Sequence, residues 1–294
     1  GRHDAPLWAA LAAESRRKVP QAACAEVSMT LWAFANVGAA TGTPYPELFR
    51  AGAAQVRARL GEFAPTSLAN VSWAFAKHGC GTGGGGAELA ALCAQLCRRA
   101  AEVVERFSGW EVSTLAWAFV TVQVIDEPLL ARLAGRACGC QLTMVNASTL
   151  TWAYAAAGIV DEALFRAIAE LVHRRIDELD CGTAARFAWA YGSLELRDDE
   201  LFTVLSAYAQ RHASGFLAQD LSGVATGFVR VARADAPLFE ALAEEASQRL
   251  PTLGPLELAN LLWAIAAGAT AAAAGAPGAA PALGPRAAAF LAAA

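Results

Sequence analysis

The sequence predicts an all-α fold: an α-solenoid of about seven helix-turn-helix repeats of 37–38 residues, wound as a right-handed superhelix. Three observations predict it. One stretch recurs seven times, as Glu26–Gly38, Ser67–Gly79, Glu111–Gln123, Asn146–Gly158, Thr183–Glu195, Asp220–Ala232 and Glu257–Ala269. Its Trp serves as a marker at residues 32, 73, 117, 152, 189 and 263, with Thr226 in its place in the sixth copy. The spacings are 41, 44, 35, 37, 37 and 37 residues, and self-similarity at such a period is the signature of a solenoid. Second, positions −5, −2 and +2 from the marker are apolar, as in Leu68, Val71 and Phe75 or Ala147, Leu150 and Tyr154. That three-to-four spacing gives one buried helical stripe, and nothing alternates with the period of two that a sheet requires. Third, position +1 is Ala or Gly and position −4 is Ser or Ala throughout, so a neighbouring helix can approach closely.

Residues 1–19 match the pattern of Asp235–Leu250, both carrying Asp-Ala-Pro-Leu and then an aromatic. They read as the second helix of a repeat whose first helix is absent. The array proper spans 20–268. Its other second helices are expected at Pro46–Leu60, Ala87–Glu105, Glu127–Leu142, Glu162–Leu179 and Glu200–Ala213. In regular copies the residue 13 after the marker is large and apolar: Leu130, Phe165, Phe202 and Phe239. Thr66, Ser113, Ser148 and Thr183 precede or open first helices, where a side-chain oxygen can satisfy free amides. Gly38, Gly79 and Gly158 stand where a left-handed C-cap is expected. Acids gather at the starts of second helices (Asp126-Glu127, Asp161-Glu162, Asp198-Asp199-Glu200, Asp235), at the positive end of the helix dipole. The two long spacings come from Thr41–Pro46 and Gly81–Gly86, read as loop insertions between paired helices. From Ala269 to Ala294 the chain is rich in Ala, Gly and Pro and reads as a ragged end, with Gly284–Ala294 resuming as a last helix.

An apolar fraction of 56% is high, but much of it is Ala, which suits close stacking. The longest uncharged stretch, Leu258–Pro285, is broken by Gly275, Pro277, Gly278, Pro281 and Gly284, so no membrane span is expected. The chain opens Gly-Arg-His-Asp, without Met or an apolar segment, so a targeting peptide is expected to lie outside this sequence. Seven scattered cysteines, an odd number, favour a reducing compartment over a disulfide framework.

Catalysis and cofactors are not expected. The Gly81–Gly86 run has no preceding strand and no following Gly-Lys-Ser/Thr, so it is not a phosphate loop. His78, Cys80, Cys93 and Cys97 have ligand-like chemistry. Yet Cys93 and Cys97 lie one turn apart on an amphipathic helix, which reads as packing, and no metal is assigned. Cys138 and Cys140 point to different helix faces. No Ser/His/Asp or Cys/His nucleophile pattern is visible.

What remains is surface. Positions −3 and +4 share one face of each first helix. At −3 stand Met29, Asn70, Thr114, Thr149, Arg186, Gly223 and Asn260; at +4 stand Asn36, Lys77, Thr121, Ala156, Ser193, Arg230 and Ala267. None of them is acidic. Such a ladder suits single-stranded nucleic acid, one side chain per repeat reaching a base edge. The competing readings are a solvated polar face and a docking face for protein. The net charge of −4 does not decide, because phosphate binding depends on local cations. Lys77, Arg186 and Arg230 lie on the ladder, with Arg57, Arg59, Arg98, Arg99, Arg174 and Arg175 as further cations on second helices.

The core Leu-Ala-Asn-x-x-Trp-Ala-Phe-Ala-x-x-Gly, seen best at Leu68–Gly79, Leu258–Gly268 and Leu31–Gly38, resembles the octotricopeptide repeat family. The heptatricopeptide repeats and the repeat region of FAST-kinase-like proteins are related to it. The resemblance covers roughly residues 4–268. It implies an α-solenoid imported into mitochondria or chloroplasts that binds organellar RNA, rRNA or mRNA, single-stranded or structured. Such proteins act in RNA maturation, stability or translation, and some are built into mitochondrial ribosomes. The acidity, the missing sixth Trp and the lack of a RAP-like domain in this sequence depart from the pattern. The residues expected to touch RNA are Asn36, Asn70, Lys77, Thr114, Thr149, Arg186, Arg230 and Asn260. The alternative is a protein-interaction scaffold held among neighbouring proteins of a large organellar assembly, with little direct RNA contact.

Overall fold

The computed structural model describes residues 4–82, 86–233, 235–274 and 284–293, with backbone alone for 80–82, 86 and 269–274. Every α-helix and 3-10 turn alternates in the order the repeat demands, and no strand occurs among the described residues. The chain divides into two compact units, 1–146 and 147–294.

In the first unit, α2 (Cys24–Thr41), α4 (Pro65–Thr82) and α6 (Gly109–Thr121) are first helices that pack side by side. The second helices α1 (Ala5–Lys18), α3 (Pro46–Arg59), α5 (Gly86–Glu102) and α7 (Glu127–Cys138) form the other layer, each against its neighbour and its own partner. The second unit holds most of α8 (Met144–Ala157). There α10 (Cys181–Ser193), α12 (Ala218–Arg230) and α14 (Pro255–Ala274) form one layer. The other contains α9 (Glu162–Arg174), α11 (Asp199–His212), α13 (Ala236–Gln248) and α15 (Pro285–Ala293). Successive helix pairs thus stack in sequence order, as in an α-solenoid. The helix α15 takes up the resumption expected at Gly284–Ala294. The long helix α14 continues past Ala269, and the ragged stretch 275–283 lies outside the described residues.

The stripe packs as the periodicity requires: Leu68, Val71, Phe75, Ala147, Leu150 and Tyr154 are all buried. Where both are aromatic, the large residue of a second helix meets the +2 residue of the next repeat edge to face. Phe49–Phe75, Phe165–Tyr191 and Phe202–Phe228 have centroids 5.6, 5.1 and 4.9 Å apart. Such T-shaped pairs add roughly 0.5–1.5 kcal/mol each to area burial.

Second helices end earlier than their apolar phase predicts. Leu142, Leu179 and Leu250 lie beyond them, because a 3-10 turn closes most (Leu60–Glu62, Val104–Arg106, Ile176–Glu178, Leu250–Thr252). The extended residue ten before each marker then plugs the core, as Phe63, Phe107 and Phe216 do. In several repeats its carbonyl accepts a hydrogen bond from the following second helix or from the residue that caps it. In the first unit Arg59 bonds Ala22 O at 2.8 Å and Arg136 Nε bonds Phe107 O at 2.7 Å. In the second, Tyr208 bonds Leu179 O at 3.0 Å and Arg249 bonds Phe216 O at 2.6 Å.

The capping acids do what their position implies. Asp4, Asp126, Asp161, Asp198 and Asp235 each accept the amide three residues on, at 2.9–3.2 Å. First helices differ from expectation. Their caps reach back from position −6 to the N-cap amide: Glu26 accepts from Ala23 N, Glu111 from Ser108 N, Thr183 from Asp180 N and Asp220 from Leu217 N, and at Asp180 the contact is reciprocal, its carboxylate accepting from Thr183 N. Ser113 instead sits a turn inside its helix and donates to Trp110 O, and Thr66 donates to Glu111. Ser148 is likewise inside α8, whose amide of Asn146 is met by Thr143 Oγ1. Of the expected glycine caps, Gly158 is left-handed (φ +70°), but Gly38 and Gly79 are helical because α2 and α4 run on. Gly42 closes α2 instead, at φ +68°. The Thr41–Pro46 insertion is a short loop between α2 and α3. Of the second insertion, Gly81 and Thr82 extend α4, Gly86 opens α5, and 83–85 lie outside the described residues.

Candidate nucleic-acid interface

A first helix has little freedom in what it exposes. Its −5, −2, −1 and +2 positions are largely buried, and its +1 and −4 positions face neighbours, so one narrow face remains. Positions −7, −3, 0 and +4 share it, since steps of three and four return to the same side of a helix. The marker Trp therefore belongs to the outer face. Trp32 is 44% exposed, Trp263 is 51% exposed, and Trp73, Trp117, Trp152 and Trp189 are half-buried. In the first unit they form a row: Trp32–Trp73 and Trp73–Trp117 centroids are 5.8 and 6.2 Å apart, tilted by 35° and 31°. Sequence reasoning used the Trp only as a landmark. The same three-and-four arithmetic that paired −3 with +4 places it between them.

The ladder residues lie on this face with unequal access. In the first unit Asn36, Asn70 and Lys77 are half-buried, Met29 is exposed, and Thr114 is buried. Asn36 donates from Nδ2 to Trp32 O at 3.0 Å, which holds its amide beside the row. In the second unit Arg186 and Arg230 are exposed, and Thr149 and Asn260 half-buried. Arg186 reaches back to Ser148 Oγ at 3.1 Å, which orients its guanidinium across the face. The structure thus groups Asn36, Asn70 and Lys77 around indoles in one unit, and Arg186, Arg230, Thr149 and Asn260 in the other. Among the described residues, neither Lys77 nor Arg230 forms a salt bridge.

Three of the acids at position −6, Glu26, Glu111 and Asp220, accept backbone amides, and Glu111 is buried as well. Partial burial raises the Asp220 carboxyl above its ordinary value, opposed by its bond to Leu217 N and by Arg186. The second-helix cations have other work. Arg57 bonds Glu88 O, Arg59 and Arg99 bond Ala22 O and Gly61 O, and Arg174 and Arg175 pair with Glu170 and Glu178. Of the six, Arg98 is the exposed one without such a bond among the described contacts.

Cys93 and Cys97 are core residues, and burial pushes the Cys93 thiol up to about 11 and Cys97 higher still. His78 stacks on Phe49 with centroids 3.8 Å apart, and burial lowers its pKa. The Cys80 side chain lies outside the described residues. Among those described, no group of His, Cys, Asp or Glu could hold a metal, and no helix is long and apolar enough to cross a membrane.

Stacked helix pairs, packed in sequence order within each unit, define the class: a helical-repeat protein. The family follows from comparison. The family model described as RNA-editing substrate-binding complex 6 protein matches residues 95–270, more than half of the chain, and the chain belongs to that family. This supports the broader content of the sequence resemblance, a helical-repeat family associated with RNA. Octotricopeptide and FAST-kinase-like kinship remains a resemblance. No curated protein matches the chain.

Proposed function

We propose that this protein is a non-enzymatic RNA-binding component of an organellar RNA-processing assembly, contacting single-stranded or irregular RNA through its first helices. The observation that carries the reading is the composition of the exposed face. The ladder residues include no acid, the −6 acids Glu26, Glu111 and Asp220 are tied to amides, and three cations stand among amides and indoles. The family description, which names an RNA-editing substrate-binding complex, supports it. Asn70 and Asn260 would meet base edges, and Lys77, Arg186 and Arg230 phosphates. Mitochondrial action is part of the proposal; the chloroplast, equally open on the residues, gains nothing from the family.

Reversing charge at Lys77, Arg186 and Arg230 together is expected to weaken retention of an RNA pool several-fold at low salt, with the helical content unchanged. Retention equal to that of the wild type removes the ladder from the reading. A second reading, a scaffold touching mainly protein, is favoured by the exposed apolar residues Met29, Leu217 and Leu256. It expects the wild-type chain to retain no RNA under the same conditions.

A further inference from the structure

The indoles are the largest apolar groups that first helices leave uncovered, and packing alone does not call for them. Where a neighbour must come close, at +1 and −4, the repeat uses Ala, Gly or Ser. At the marker it uses Trp in six copies of seven. In the first unit Trp32, Trp73 and Trp117 stand ring beside ring, 5.8 and 6.2 Å apart, with Trp32 exposed and Trp73 and Trp117 half-buried. Trp110, two turns before Trp117 on α6, is 40% exposed as well.

We propose that this row is a stacking strip for the bases of an unpaired RNA segment laid along the first helices. The inference rests on the RNA-binding reading above and adds what kind of RNA the face takes and how. Three features choose RNA over a protein partner. The rings repeat at near-constant spacing, as the bases of a strand do and the side chains of a folded partner do not. Amides flank them, with Asn36 pinned to the Trp32 carbonyl and Asn70 one turn from Trp73. The nearest free charge is Lys77, while Glu26 and Glu111 are held to the Ala23 and Ser108 amides. Stacking accepts every base, because each has a π-face, so the strip contributes affinity with little sequence preference. A duplex hides those faces, so the strip discriminates against paired RNA.

The test uses the full chain, a fluorescently labelled oligouridylate, and a hairpin duplex of equal length. The wild type is expected to favour the oligouridylate and to show quenched Trp emission on binding. Trp73→Leu/Trp117→Leu should lose about tenfold or more in affinity and most of the quenching, with the salt dependence unchanged. Trp73→Tyr/Trp117→Tyr, which keeps aromatic faces, should retain most of the affinity while losing the same share of the Trp quenching. If the Leu variant binds as the wild type does while the Lys77, Arg186 and Arg230 reversal weakens binding, the strip is refuted and the RNA reading survives. Equal losses of affinity in the Leu and Tyr variants assign the indoles to packing and also overturn it. A wild-type chain that retains protein but no RNA ends both readings.

Discussion

Position +6 shows how a single residue is set by where the helix must stop. In the regular repeats it is left-handed whatever the side chain: Gly158 at φ +70°, Gln123 at +60°, Glu195 at +55° and Ala232 at +57°. The backbone dictates this, since the amide one residue further on bonds the carbonyl four residues before the cap, as Val124 N does to Phe119 O, Ile159 N to Tyr154 O, Leu196 N to Tyr191 O and Arg233 N to Phe228 O. An L-residue with a Cβ meets a steric cost of about 1–2 kcal/mol there, which glycine avoids. Gly158→Ala is therefore expected to cost about 1 kcal/mol. Ala232→Gly should gain roughly 0.5 kcal/mol, the relief being offset by the greater freedom glycine has when unfolded. Thermal unfolding of both variants checks this; a neutral Gly158→Ala would refute the strain. Sequence placed the cap at +6 correctly for Gly158 but read it by residue type. It therefore missed the three non-glycine caps and misplaced Gly38 and Gly79, which insertions keep helical.

Between helices, one close backbone approach lies in the sixth repeat, where the marker Trp-Ala becomes Thr226-Gly227. A methyl built on Gly227 would sit 2.2 Å from Ala188 O, and one on Gly192 would sit 2.4 Å from the Gly227 Cα. Backbone faces backbone between α10 and α12, so no rotamer change can relieve the clash. Gly227→Ala is expected to destabilise the second unit by about 1–3 kcal/mol. Gly135 in α7 has open space at its missing Cβ, so Gly135→Ala should stabilise by about 0.5–1 kcal/mol as the matched control. Urea titrations of the two variants moving in the same direction would refute the close-approach argument. This element-level organisation was largely legible, because repeat period, stripe and small positions are written in residue types. The 3-10 turns and their carbonyl acceptors were not, because an apolar residue that ends a helix in sequence can equally continue it. Nor was the outward Trp, because a large apolar residue is ordinarily assigned to a core, and its exposure follows only once three sides of the helix are known to be covered.

Over the whole molecule, acids outnumber cations, and much of the cationic charge is neutralised where it stands. Arg16 and Arg50 meet Glu47, Arg17 meets Glu14, Arg99 meets Glu102, and Arg249 meets Glu245. The exposed ones among them contribute little stability, about 0–1 kcal/mol each, but together the pairs leave few cations available to phosphate. On the first-helix face that number is three: Lys77, Arg186 and Arg230. Each phosphate neutralised on a single strand contributes about −0.7 to the slope of log affinity against log salt. RNA binding by this chain should therefore have a shallow slope, about −2, with the salt-independent remainder coming from amides and rings. The reversal of all three cations should remove most of that slope, whereas the Trp73/Trp117 variants should leave it intact. Titrations of the oligouridylate over a tenfold range of salt measure it. A slope near −5 would mean that the strand runs over arginines elsewhere, and the binding face would then have to be sought among the second helices.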